Sequence, residues 1–358
     1  MQNNYVAIMA GGIGSRFWPG SRQTMPKQFL DILGVGKSLI QLTYERFLNV
    51  APKENIFIVT NKLYKDLVKE HLPDLTDNQI LCEPSRNNTA PCVAYTAFKL
   101  ENLNPDANMV VAPSDHIILN SPEFVRLVNK GLQFSNDNDA LLTLGIQPTL
   151  PHTGYGYIQF GEAADSEVHK VIRFTEKPPL DKAKSFLASG DYLWNAGIFI
   201  WKARNVLKAY QQYASEIHEI LGKGAPFYNT EEEQEFIDQF YPTTPDISVD
   251  YAIMENAQNI YTIPSDFGWS DLGSWGALFE EMDKDPHGNV INANKAILEN
   301  VKDCLIRVPK DKLVVLRGLE DYIVIDERNV LVVYPKTFEQ EIKKVRGLAK
   351  DQFGKEYV

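Results

Sequence analysis

The side chains best suited to chemistry are four charged residues far apart in the chain: Arg16, Lys27, Asp115 and Asp271. Arg16 closes the run Gly11-Gly12-Ile13-Gly14-Ser15-Arg16, which follows directly on the apolar stretch Tyr5 to Ala10. Glycines at the end of a strand let backbone N–H groups approach a phosphate closely. Arg16 and Lys27 lie on either side of a Pro-rich turn, Trp18-Pro19-Gly20 and Met25-Pro26, which restricts the loop and could hold two cations over one anion. Asp115 follows the run Met109 to Pro113, and Asp271 sits in a Trp-Ser-Asp-Leu-Gly turn. Two such carboxylates are a partial hard-oxygen shell for Mg²⁺, completed by phosphate and water. Each aspartate taken alone is equally a helix cap or turn residue, and each cation alone a surface charge. His116 suits Mg²⁺ less well, because that ion favours oxygen.

Two familiar phosphate motifs fail on their spacing. A dinucleotide fingerprint counted from Gly12 finds Gly14 but meets Phe17 where a small third residue is required. Gly36-Lys37-Ser38 ends like a P-loop, but Asp31 occupies the position of its first glycine.

Positioning these residues is the work of short β-branched runs, Tyr5 to Ala10, Ile56 to Thr60, Met109 to Pro113 and Leu141 to Ile146, separated by stretches long enough for helices. That rhythm predicts an α/β, Rossmann-like, mostly parallel sheet whose ligands bind beyond the carboxyl ends of the strands. From Gly154 to Asp271 the pattern is mixed, with strands at GYGYIQF and GIFIW and a helix over Ala203 to Leu221, as if a second wall of a pocket were inserted. After about Pro286 many short strands follow, AILEN, CLIRV, KLVVL, DYIVI and VLVVY, and predict a small all-β domain, with a few turns of a β-solenoid as one form of it. The expected division is a catalytic domain over residues 1–285 and a β domain over 286–358.

Composition narrows the function. With 36 Lys and Arg against 47 Asp and Glu the formal charge is −11, which disfavours nucleic acid and anionic membrane as partners and makes a local pair of cations informative. The three cysteines form no CxxC pair, and the apolar stretch near the amino terminus is too short for a leader or a membrane span. A protein of the cytoplasm is expected.

The run Gly11 to Arg22 followed by Pro26-Lys27-Gln28-Phe29 resembles the signature of the mannose-1-phosphate guanylyltransferase family. Further matches come in family order: Glu83 to Pro91, Pro113-Ser-Asp-His116, Phe174-Thr-Glu-Lys-Pro178, Trp194 to Phe199, Asp250 to Glu255 and Trp269 to Trp275. Departures are few: Ser15 for threonine, Phe17 and Gly20 for leucines, Ser114 for alanine, and Ala196 for serine beside an expected sugar contact.

The resemblance implies transfer of GMP from GTP to mannose 1-phosphate, with Mg²⁺ held by Asp115 and Asp271 and phosphate charge met by Arg16 and Lys27. It implies nucleotide contacts from Gly11, Gly12, Gly14, Ser15, Glu83, Asn88 and Thr89, and sugar-phosphate contacts from Gly156, Glu176, Lys177 and Asn195. A carboxylate such as Glu83 can accept the N–H donors of guanine. Asn87 and Asn88 are equally suited to cap a helix starting near Thr89-Ala90-Pro91. Adjacent residues on a strand point to opposite faces, so Glu176 and Lys177 reach one ligand only if the strand distorts near Pro178. A homodimer is implied, and a single activity, since the chain stops short of the family's appended isomerase domain. The alternatives are the same fold with another sugar 1-phosphate or nucleotide, a catalytically silent nucleotide-sugar sensor, and a nicotinamide-dependent oxidoreductase.

Overall fold

Strands form where the apolar runs predict them. The protein is described by a computed structural model over residues 3–358 and divides into two compact units. The first comprises Met1–Gly11, Thr43–Ser114 and Ile118–Trp269. Its nine-stranded sheet begins with Ile80–Glu83, Ile56–Asn61, Asn4–Met9 and Asn108–Pro113, all parallel. The long strand Tyr192–Lys202 then runs antiparallel between Asn108–Pro113 and Leu141–Ile146. Ile260–Ser265 is parallel to Leu141–Ile146, and the antiparallel pair His169–Thr175 and Tyr157–Ala163 completes the sheet. Among the described residues only Tyr192–Lys202 and His169–Thr175 oppose the common direction, so the mixed texture after Gly154 reflects strands joining the same sheet.

Both faces of the sheet are covered, which is why its parallel strands read as unbroken apolar runs. Phe199 and Trp201 share a core with the helices Thr89–Leu103 and Ala203–Tyr213. Ile200, between them, points the other way, toward the helix Ser121–Asp137; a Cβ on Gly131 would lie 2.6 Å from its Cδ1. The helix Thr89–Leu103 is also tied to the helix Glu233–Phe240 by buried charge: Lys99 donates to Glu233 Oε2 and Tyr95 to Oε1, both at 2.6 Å. Removing one member of such a pair strands the other in a medium of low polarity. Glu233→Ala is therefore expected to destabilise the fold by about 3–5 kcal/mol, measured by urea unfolding at neutral pH. A loss below about 1 kcal/mol would mean that Lys99 finds water in the variant.

The second unit comprises Gly12–Leu42, Asp115–Ile117 and Ser270–Val358. Val290–Asn292, Leu305–Arg307 and Tyr322–Glu327 stack in parallel, while the intervening strands Lys295–Glu299 and Leu313–Arg317 form a second parallel stack. Val330–Pro335 closes the first stack in antiparallel fashion. The expected all-β region is β only to Pro335: Lys336–Glu341 is a 3-10 turn and Ile342–Phe353 an α-helix. Ile342, Val345 and Ala349 recur at helical spacing and pack on the unit's core, which accounts for the difference. The packing also departs from the expected boundary at 285/286. Phe17, Trp18, Ile32 and Leu39 share that core with Leu305, Ile323 and Ile325, because the Pro-rich segment carries its own large apolar side chains. No helix among the described residues is long and apolar enough to cross a membrane.

Candidate functional site

In the second unit the glycine run is shaped by what must come close to it. Gly14 has φ +68°, and a Cβ there would lie 2.4 Å from Lys27 Cβ, so only glycine admits the lysine stem. Lys27 N–H donates to Ile13 O at 3.1 Å, the Gln28 amide to Gly12 O at 3.1 Å, and the Ser21 hydroxyl to Gly14 O at 2.6 Å. Ser15 opens a short 3-10 turn that ends at the buried Phe17. The decoy Gly36-Lys37-Ser38 belongs to a tight turn in which the Asp31 carboxylate accepts from the N–H groups of Val35 and Gly36.

Arg16, Lys27, Asp115 and Asp271 are brought together. Lys27 is only 3% exposed, and its ammonium lies 3.0 Å from Asp115 Oδ2 and donates to Asp271 O at 2.8 Å. Burial alone would raise the Asp115 carboxyl, but Lys27, His116 and hydrogen bonds together hold it below the ordinary aspartate value. Arg16, at the surface, donates to Gly273 O at 3.3 Å. The Asp271 carboxylate accepts from Gly273 N at 3.0 Å, and buried Leu272 between them takes a left-handed φ of 45°. Both cations thus converge on one tight turn.

No group of three or more His, Cys, Asp or Glu among the described residues could hold a metal ion. The donor set at this turn is two hard carboxylates, one of them engaged by Lys27. That set fits a cation such as Mg²⁺, which keeps most of its shell for phosphate oxygens and water, and would not suit a closed protein cage.

In the first unit Glu83 ends its strand beneath Gly11, whose Cβ, if present, would lie 3.4 Å from Glu83 Oε2. Burial pushes the Glu83 carboxyl up to about 7 despite hydrogen bonds from Tyr241 and Cys92. The asparagine alternatives resolve into distinct roles. Asn88 Oδ1 accepts from Thr89 N at the start of the helix, and Thr89 Oγ1 accepts from Val249 N. Asn87 is buried and donates to Thr244 O at 2.7 Å. Asn88, which is exposed, is therefore placed by helix initiation, and the Thr89 hydroxyl by its bond to Val249.

Gly156, Glu176, Lys177 and Asn195 also form one cluster. Asn195 N–H donates to Gly156 O at 2.8 Å, and a Cβ on Gly156 would lie 2.6 Å from Glu176 Oε2. The strand ends at Thr175, and Lys177 takes a left-handed φ of 45°. That reversal breaks the alternation expected of a strand and lets the Lys177 ammonium meet the Glu176 carboxylate. Asp250, which sequence reasoning did not place in a site, completes the group: its Oδ1 accepts from Asn195 Nδ2 at 2.9 Å. Burial first and the charge of Glu176 second push Asp250 up to about 7, against the pull of Lys177. Glu255 supports the cluster from behind by accepting Glu176 N–H at 2.8 Å, and Thr143 donates to Asn195 Oδ1 at 2.8 Å. The available signal was the acidic pair framing Asp250-Tyr-Ala-Ile-Met-Glu255, whose first five residues adopt a π-helical turn of the kind often found at functional sites.

The chain is similar to known proteins over most of its length. Residues 5–288 match the nucleotidyl transferase family. A mannose-1-phosphate guanylyltransferase of Klebsiella pneumoniae is 36% identical over 98% of this chain and 74% of its own length. One from Escherichia coli K12 is 33% identical over 95% of this chain and 72% of its own length. The crystal structure of a mannose-1-phosphate geranyltransferase from Thermus thermophilus matches with a TM-score of 0.88 and 26% identity, covering 98% of this chain and all of that one. On the length of the family match and the identity to these relatives, the chain belongs to the nucleotidyl transferase family, among its mannose-1-phosphate guanylyltransferases.

Proposed function

We propose that this protein transfers GMP from GTP to mannose 1-phosphate, releasing pyrophosphate. The observation that carries the chemistry is the convergence of Lys27 and Arg16 on the Asp271–Gly273 turn, with Asp115 held by Lys27. A sugar phosphate is already anionic, so attack on the α-phosphorus needs no general base. It needs charge neutralisation and alignment, which fixed cations supply without reorganising. Asp115 and Asp271 would hold Mg²⁺, which would supply neutralisation of the phosphate charge. Lys27 meets charge growing on the transferred phosphate, and Arg16, being exposed, meets the leaving pyrophosphate. Glu83 beneath Gly11 accepts guanine N–H donors, while Gly12, Gly14 and Ser15 shape the phosphate loop. Glu176, Asn195 and Gly156 take the sugar hydroxyls and Lys177 its phosphate. On this reading residues 1–285, nearly the span of the family match at 5–288, carry catalysis, and 286–358 supports it.

A pyrophosphate-release assay tests the reading. Activity is expected with GTP and mannose 1-phosphate in the presence of Mg²⁺, and much less with other triphosphates or sugar phosphates. Better turnover of another pair would reassign the substrates. In the same assay Lys177→Ala is expected to raise KM for mannose 1-phosphate about tenfold or more and KM for GTP little, since one charge-assisted contact with a single substrate is lost. Equal weakening of both substrates would contradict the assignment of Lys177 to the sugar phosphate.

A further inference from the structure

We infer that Glu339 is a positioning residue for the Asp271–Gly273 turn. The inference rests on reading Arg16, Lys27, Asp115 and Asp271 as the phosphate-handling set. Directly after that turn Ser274 caps the helix Trp275–Glu281, its hydroxyl oxygen accepting from Ala277 N at 3.2 Å. The first N–H groups of a helix have no partner inside it, and a glutamate at its third position often supplies one from the helix itself. Here that position is Ala277, and the carboxylate comes instead from a segment far along the chain. Glu339 Oε2 accepts from Gly276 N at 2.6 Å, and Oε1 accepts from the Ser274 hydroxyl at 2.9 Å.

The approach is built in. A Cβ on Gly276 would lie 2.6 Å from Glu339 Oε2, so glycine is what lets the carboxylate reach the backbone. The Glu339 segment is itself anchored: the Lys336 ammonium sits 3.6 Å over the ring of Phe279, on the same helix, and Ile342 is buried in the unit's core. Ser274 immediately follows Gly273, whose N–H holds the Asp271 carboxylate and whose carbonyl receives Arg16. Lys27 and Arg16 thus fix the turn by its carbonyls, and Glu339 fixes the residues that follow by their donors. Without Glu339 the turn retains its sequence but loses its restraint on the helix side. Displacement of a charged group by even about 1 Å can cost on the order of a hundredfold in rate.

Amide hydrogen exchange of the peptide spanning residues 271–277, measured with kcat and KM for GTP, tests this. Glu339→Ala is expected to speed exchange there about tenfold and to lower kcat about tenfold, with KM for GTP changed less and the thermal midpoint nearly kept. Glu339→Gln should recover most of both, since its oxygen can accept from Gly276 and its amide can donate to Ser274 Oγ. Gly276→Ala, which pushes the carboxylate away while leaving Glu339 in place, should reproduce Glu339→Ala and serves if that variant folds poorly. Unchanged exchange in both alanine variants overturns the inference, as does faster exchange with unchanged kcat, or a Gln variant no better than Ala. Lys27→Ala run alongside separates the two levels: if it turns over normally, the phosphate-handling reading fails, whatever the exchange at 271–277 shows.

Discussion

Lys27→Ala is expected to lower turnover by about a hundredfold or more, comparable to the loss of one preorganised electrostatic donor. The ammonium is nearly sealed from solvent and bonded to Asp115 and to the Asp271 carbonyl, so its position is set before substrate arrives. A surface lysine in the same sequence would be screened and mobile, and its loss would show mainly in KM. Removing a buried cation also leaves the Asp115 carboxylate without its counter-charge, so part of the loss could come from a disturbed fold. Lys27→Met separates loss of the packed stem from loss of the charge, since Asp115 loses its counter-charge in both variants. It keeps an unbranched stem beside Gly14 and Phe17 while deleting the charge. Both variants are expected to lose turnover alike, with Lys27→Met nearer the parent in thermal midpoint. Near-normal turnover in Lys27→Met would remove the charge from the catalytic set.

What the sequence made legible followed from local pattern. The parallel strands were readable because burial on both faces leaves continuous apolar runs, and Ile56–Asn61 is buried at every position. The helix at Ile342–Phe353 was hidden by context: its apolar spacing follows five strand-like runs and is flanked by charge, so the β rhythm dominated the reading. The packing of Gly12–Leu42 with residues beyond Ser270 was out of reach, because no local feature of Phe17 or Trp18 says which distant core receives them. At the site, residue types and motif order pointed to Arg16, Lys27, Asp115 and Asp271, but not to the buried state of Lys27. Asp250 was missed because the acidic pair framing Asp250 to Glu255 does not say that Asn195 is its partner. Asn88 shows the converse: its helix-capping chemistry was visible ahead of Thr89-Ala90-Pro91, and the structure uses its side chain for it.

Asp115→Asn and Asp271→Asn are each expected to raise the Mg²⁺ concentration needed for half-maximal turnover and to lower turnover on the order of a hundredfold, since an amide keeps the shape but removes charge from a hard-cation ligand. The two aspartates are linked through one side chain: Lys27 bonds the Asp115 carboxylate and the Asp271 carbonyl at once. They have distinct local duties as well. The Asp271 carboxylate also accepts Gly273 N–H within its turn, whereas Asp115 is kept ionised by Lys27 and His116 against the cost of burial. A purely structural role predicts that Asp271→Asn, whose amide oxygen can still accept from Gly273, loses little. A shared metal role predicts that both asparagine variants shift the Mg²⁺ dependence, because charge and not shape is what the ion needs. Groups that act as a unit are not additive, so the double variant should lose much less than the product of the single losses. Turnover measured across a Mg²⁺ series in the parent, both single variants and the double variant decides between these. Multiplicative losses with an unshifted Mg²⁺ dependence would sink the shared site and leave Asp271 as a turn residue and Asp115 as the counter-ion of Lys27.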